Sequence, residues 1–302
     1  MKIKLLLAML TLTSSFSAHA ALNVLACEPE WGALAQELGG DKVKVANATT
    51  ALQDPHRIEA RPSLIARARS ADLLVCTGAE LEIGWLPILL RDSGNAAIQP
   101  GQAGNFEATR YVTMLEKPLR LDRADGDVHA AGNPHIQTDP RNIALVANAM
   151  SKTLATVDAT NAAYYQARHA DFMMRWQAAI ARWETQAAPL KGVSVVMQHK
   201  AYPYLESWLG LKQVATLEPK PGVEPSVASL SAVLNKLNSM PAKMIVRSAY
   251  NDDRASAWLA QRTNLPVAVL PFTVGGTPAA NNLFGLFDDT IARLLAADKA
   301  AK

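Results

Sequence analysis

Short apolar runs alternate with amphipathic stretches through the first half of the chain: Leu22 to Cys27, then Glu30 to Leu38, Val43 to Ala46, Pro62 to Arg69 and Leu73 to Cys76. Such alternation marks βα units, in which each strand is buried under helices and pairs in parallel with its neighbours. The rhythm returns with Val193 to Met197, Ala201 to Leu209, Val227 to Leu237, Met244 to Val246, Arg254 to Arg262 and Val267 to Leu270. Between the two halves, Asn142 to Trp183 contains no glycine or proline and reads as helix, with an interruption near Asp158-Ala159-Thr160-Asn161. The pattern predicts an α/β protein of two lobes, each a parallel β-sheet flanked by helices, joined by one long interdomain helix. Residues 21–141 form the first lobe, 142–188 the link and 189–302 the second lobe.

Lys2 and Lys4 precede the apolar run Leu5 to Leu12, and a polar stretch then ends in Ala18-His19-Ala20. This order of charge, apolar run and small residues is that of a secretory signal peptide over residues 1–20, which places the mature protein in the periplasm. The run is too short to span a bilayer, and no later apolar stretch of about twenty residues follows. Val24-Leu25-Ala26-Cys27 loosely resembles a lipoprotein cleavage box but stands too far beyond the apolar run. With Lys2 and Lys4 taken from 30 basic residues against 27 acidic ones, the mature chain is near neutral and has no basic cluster, so nucleic acid is excluded as a partner. Cys27 and Cys76 each end an apolar run, so a bridge between adjacent strand ends is feasible in an oxidising compartment; sequence leaves it open.

Chemistry concentrates in the histidines, which number six with His19 in the leader. His56 lies in the turn-prone Gln53-Asp54-Pro55-His56, ahead of a helix opened by Pro62-Ser63. His135 lies in Gly132-Asn133-Pro134-His135, ahead of a helix opened by Asp139-Pro140. His199 follows the strand Val193 to Met197 and precedes a helix. A lone loop histidine is more often solvated than ligating. Three beside element ends, where open α/β sheets build ligand sites, point to a borderline cation held by neutral imidazoles. His169, with Arg168 and Asp171 on a polar helical stretch, reads as a surface residue.

Asp54-Pro55-His56 with Arg61-Pro62-Ser63, Ala71-Asp72-Leu73 with Thr77-Gly78 and Leu81-Glu82, Gly132-Asn133-Pro134-His135 with Asp139-Pro140, and His199 with Ala201-Tyr202, Tyr204 and Leu209-Gly210-Leu211 form an ordered set. Together, over residues 22 to 290, they resemble the cluster A-I metal-binding proteins of ABC transporters, the zinc and manganese solute-binding family. The resemblance implies a metal in the cleft between two lobes, bound by His56 and His135 from the first and His199 from the second. It implies a non-enzymatic, monomeric protein that delivers its ion to an ABC transporter permease in the inner membrane.

Many members supply a fourth ligand from a Leu-Asp-Pro segment, but the matching stretch here is Val269-Leu270-Pro271, and leucine cannot ligate. His129, in a loop with Asp122, Asp125 and Asp127, is the candidate fourth ligand or loading residue. Asp252 and Asp253 open a helix and read as caps. Glu59, three residues from His56, is the candidate carboxylate to orient its ring. Three imidazoles and a lost aspartate favour Zn2+ over Mn2+, which prefers oxygen donors. Two other functions share the cleft: a periplasmic zinc chaperone serving a soluble acceptor, and a secreted three-histidine metallohydrolase, which lacks a His-Glu-x-x-His pair to supply its base.

Overall fold

The computed structural model describes residues 20–120 and 126–301. Nineteen residues of the leader, and Asp122 and Asp125 of the acidic loop, lie outside the described residues. In the first lobe, β1 (Leu22–Ala26), β2 (Val43–Asn47), β3 (Leu73–Cys76) and β4 (Asn105–Glu107) form one sheet in the order β2-β1-β3-β4, with every pair parallel. In the second, β5 (Ser194–Met197), β6 (Lys212–Thr216), β7 (Met244–Ser248) and β8 (Val267–Leu270) repeat that order as β6-β5-β7-β8, again parallel throughout. In both sheets the chain leaves the first strand to one side and returns to its other side. The crevice at the carboxyl ends of those central strands is where open α/β sheets bind ligands.

Helices cover these sheets: α1 (Pro29–Gly39), α2 (Pro62–Arg69) and α3 (Leu86–Ser93) in the first lobe, and α6 (Pro203–Leu209), α7 (Val227–Leu237), α8 (Arg254–Thr263) and α9 (Leu283–Ala300) in the second. Proline stands in the first helical turn of α1, α2, α3 and α6, where its missing N–H removes no helical bond. The stretch between the lobes is broken where the sequence suggested, at Asp158 to Asn161, into α4 (Pro140–Val157) and α5 (Ala162–Ala187). These two run antiparallel, since Trp176 donates to the Pro140 carbonyl at 2.8 Å while His169 meets Asn148 at 2.8 Å. The single long link is therefore α5, whose 26 residues extend about 39 Å. Its beginning is tied to the first lobe by Arg168 on the Glu37 carbonyl at 2.8 Å. Its end is tied to the second by Arg182 and Trp183 on Asp288, at 2.7 and 2.6 Å.

One apolar core runs through both lobes: Trp31 and Leu34 of α1, Phe172, Trp176 and Trp183 of α5 and Phe287 of α9 are all buried in it. The Trp176 ring packs edge-on against Phe284 and Phe287 at 4.9 and 5.6 Å. A shared core resists wide separation of the lobes, because opening would expose these aromatic faces to water. Cys27 and Cys76 are joined by a disulfide with Cα atoms 4.7 Å apart. The bridge follows from β1 and β3 being neighbours, with Cys27 N–H already bonded to the Val75 carbonyl at 2.8 Å. Among the described residues no helix is long and apolar enough to cross a membrane.

Candidate metal centre

His56 sits after β2 in a turn closed by Arg57 N–H on the Asp54 carbonyl at 3.1 Å. Asp54 does more than make the turn: its Oδ1 accepts from the His56 backbone N–H at 3.0 Å and lies 2.8 Å from the ring Nδ1. The expectation for Glu59 is corrected. Its side chain is exposed beyond the turn, and Asp54, two residues before the histidine, takes the ring. Trp85 fixes the same segment by donating to the Pro55 carbonyl at 3.0 Å.

His135 is fully buried just before α4, whose N-cap Asp139 accepts from Arg141 N–H at 2.8 Å. Its ring lies edge-on to Phe272 at 5.2 Å, and its Nδ1 is buried with no hydrogen-bond partner among the described residues. A buried imidazole nitrogen without a partner costs free energy, unless a cation or other group takes its lone pair. His199 follows β5, and its Nδ1 lies 2.7 Å from Glu218 Oε2. The segments carrying His135 and His199 are stitched across the cleft. Tyr204 donates to the Asn133 carbonyl at 2.7 Å, and the Asn133 amide donates to the Lys200 carbonyl at 2.9 Å.

Ring centroids of His56 and His135 are 5.5 Å apart, of His56 and His199 6.2 Å, and of His135 and His199 5.7 Å. His129 joins them, with its centroid 5.4 Å from that of His56 and the two Nε2 atoms 3.3 Å apart. Imidazoles around one tetrahedral zinc at Zn–N distances near 2.1 Å would have centroids roughly 5.2 Å apart. No three of these imidazoles yet bring one ring nitrogen each within 4.8 Å of one another, against roughly 3.4 Å around a tetrahedral zinc, so the rings must turn or close by more than about an ångström to hold such an ion. Burial, then the neighbouring His56, pushes the His129 imidazolium pKa down to about 4, and burial with the surrounding histidines holds that of His135 well below the ordinary range. Both rings are therefore neutral at pH 7, with lone pairs free for a cation.

Leu270 is wholly buried at the end of β8. Asp252 is turned away, accepting from Arg254 N–H and Nε at 2.9 and 2.8 Å. His169 is bonded to Asn148 on α4, apart from the cluster. Sequence reasoning missed Asp54 and Glu218 as ring partners. The first was legible as a turn carboxylate two residues from its histidine; the second lies 19 residues along the chain from His199 and is brought there only by β6 pairing with β5.

The family described as zinc-uptake complex component A, periplasmic, matches residues 24–297. The high-affinity zinc uptake system protein ZnuA of Paracoccus denitrificans is 24% identical over 304 residues, covering 89% of each chain. The manganese ABC transporter substrate-binding lipoprotein PsaA of Streptococcus pneumoniae is 22% identical over 270 residues, 86% of this chain and 83% of that one. A crystal structure of ZnuA superposes with a TM-score of 0.76 at 21% identity, covering 92% of this chain and 99% of the other. With a family match spanning nearly all the described residues, this chain belongs to the ZnuA family of metal ABC transporter solute-binding proteins.

Proposed function

We propose that this protein captures one zinc ion in the periplasm through His56, His135, His199 and His129, and delivers it as a monomer to the permease of an ABC importer. The observation that carries this reading is the gathering of the His56, His135 and His199 rings, with His129 set against His56, and with Nδ1 of both His56 and His199 already held by a carboxylate. A carboxylate on Nδ1 fixes the tautomer that keeps the proton there, so Nε2 faces the cleft as a lone pair. Glu218 and Asp54 thus prepare His199 and His56 as donors before any ion arrives.

Donor chemistry supports zinc over manganese. The four converging side chains offer nitrogen alone, and a borderline cation suits imidazole better than a hard one does. Relatives include carriers named for each metal, so the reading for zinc rests on the donor set. Because the family is one of solute-binding proteins, a metallohydrolase is set aside.

The test is competitive zinc and manganese titration of metal-stripped protein, beside His56→Ala, His135→Ala, His199→Ala and His129→Ala. One zinc per chain, held far more tightly than manganese and weakened by each change, is expected. Equal or greater affinity for manganese, or uptake indifferent to the four changes, would sink the proposal. A transfer assay with permease in vesicles against a soluble apo-acceptor separates transport from chaperoning.

A further inference from the structure

The motif Thr77-Gly78 with Leu81-Glu82 contributes no side chain to the histidine cluster, yet it frames an unusual stretch of backbone. Gly78, Ala79 and Glu80 are consecutive residues with positive φ, at 83°, 52° and 66°. Glycine adopts that region freely, but residues with a Cβ do so rarely and seldom in succession. Rigid surroundings hold the turn: the Glu82 carboxylate accepts from Thr77 N–H at 2.8 Å and Gly78 N–H at 3.1 Å, and Thr109 N–H bonds the Thr77 carbonyl at 2.9 Å. Strain that is over-determined in this way tends to serve a site.

The outward contacts of the turn go to the loop bearing the fourth histidine. Glu80 Oε2 accepts from Ala130 N–H at 3.1 Å, and the Ala79 backbone hydrogen-bonds the His129 ring. On its other side the loop rests on the second lobe, where Asp127 N–H bonds the Pro221 carbonyl at 2.9 Å. Gly126 and Gly222 make that approach possible, since a Cβ on either would collide with Pro221 or Asp127.

Resting on the four-imidazole reading above, we propose that the left-handed turn Gly78-Ala79-Glu80 is a latch, with Glu80 the positioning residue that holds His129 on the captured ion. Glu80 does not touch the ion. It fixes the backbone one residue beyond His129, while Ala79 fixes the ring, so the fourth donor is presented in place from a loop whose described residues, 126–135, form neither helix nor strand. A ligand ordered beforehand binds more tightly, because the cost of ordering it is not charged to binding. The latch belongs to the first lobe and the loop's other support to the second, so a change in lobe spacing pulls His129 from one side only.

The experiment titrates the full mature protein, stripped of metal, with zinc and with cobalt(II), whose visible spectrum reports coordination number. Variants are Glu80→Ala, Glu80→Gln, His129→Ala and the double change His129→Ala/Glu80→Ala. Glu80→Ala is expected to give the cobalt spectrum of His129→Ala and to lose about tenfold to a hundredfold in zinc affinity. Glu80→Gln, whose amide oxygen still accepts from Ala130 N–H, should restore both, and the double variant should lose no more than His129→Ala alone. The latch is overturned if Glu80→Ala keeps the parental spectrum and affinity while His129→Ala changes them, or if Glu80→Ala costs as much without His129 as with it. A silent His129→Ala overturns both the latch and the fourth ligand, while leaving the other three histidines to be judged by their own substitutions.

Discussion

His199 Nδ1 and Glu218 Oε2 stand 2.7 Å apart although one follows β5 and the other follows β6. The same carboxylate oxygen accepts from Gly222 N–H at 2.8 Å, so Glu218 links a proposed metal donor to the turn that supports the His129 loop. Replacing Glu218 by alanine frees the His199 ring to rotate and change tautomer, and it loosens that turn. Zinc affinity should fall about tenfold to a hundredfold, the usual effect of losing a carboxylate behind a histidine ligand. Calorimetric titration of the variant checks this; an affinity within a factor of two of the parent would show that Glu218 only fills space.

The Cys27–Cys76 bridge should matter to stability and not to metal. It closes a separation of 49 residues, and disulfides closing loops of this size contribute on the order of 4 kcal/mol through restriction of the unfolded chain. Cys27→Ser/Cys76→Ser should lower the denaturant midpoint accordingly while zinc affinity stays within about threefold, since neither cysteine touches the four imidazoles. Loss of zinc binding in a variant that remains folded would contradict this separation.

Much of the fold was legible because parallel strands buried on both faces leave continuous apolar runs, as at Leu73 to Cys76 and Met244 to Val246. The break at Asp158 to Asn161 was legible too, but not its consequence. Periodicity shows that helix stops and restarts, whereas the antiparallel return of α5 onto α4 depends on contacts such as Trp176 to Pro140, 36 residues apart. At the site, the grouping of His56, His135 and His199 was legible because each stands in a loop ahead of a helix. Glu218 and Glu80 could not, because each is an ordinary acidic residue made special by a distant partner, His199 in one case and Ala130 in the other. Glu59 misled through its spacing: three residues separate neighbours on a helix, but the chain at His56 is a turn, where two residues bring the carboxylate round.

Gly222 is a further point of sensitivity. Its φ of 74° favours glycine, and a Cβ there would strike the Asp127 carboxylate. Gly222→Ala should therefore cost about 1 kcal/mol in stability and displace Asp127 from the second lobe. With the loop less firmly seated, zinc should leave faster while the three proposed ligands outside the loop still bind it. Stopped-flow release into excess chelator measures this directly, and an unchanged off-rate would mean that the second-lobe contact of the loop has no part in retention.

The carboxyls of Glu28, Glu30 and Glu82 form a second buried cluster beneath this region and contribute to the pH dependence of folding. Burial raises Glu30 and Glu82 to about 7, against hydrogen bonds from Thr273 to the first and from Glu28 and Thr77 to the second, while Glu28 is held well above the usual carboxylate range. Unfolded glutamates titrate near 4.3, so between about pH 4.3 and 7 the folded state binds more protons than the unfolded state, and this cluster makes stability fall as pH rises. The buried histidines act in the opposite sense. His129 titrates at about 4 in the fold and near 6.5 when unfolded, so its contribution is lost as pH falls from about 6.5 towards 4. Glu30→Gln keeps an acceptor for the Thr273 hydroxyl and removes one titrating group from the first set only. The variant should gain stability relative to the parent as pH increases from 5 to 8, by on the order of 2 kcal/mol, with the acid limb unchanged. Thermal or urea unfolding of the metal-free proteins across that range decides it: parallel curves would mean that Glu30 ionises in the fold as easily as it does in the unfolded chain.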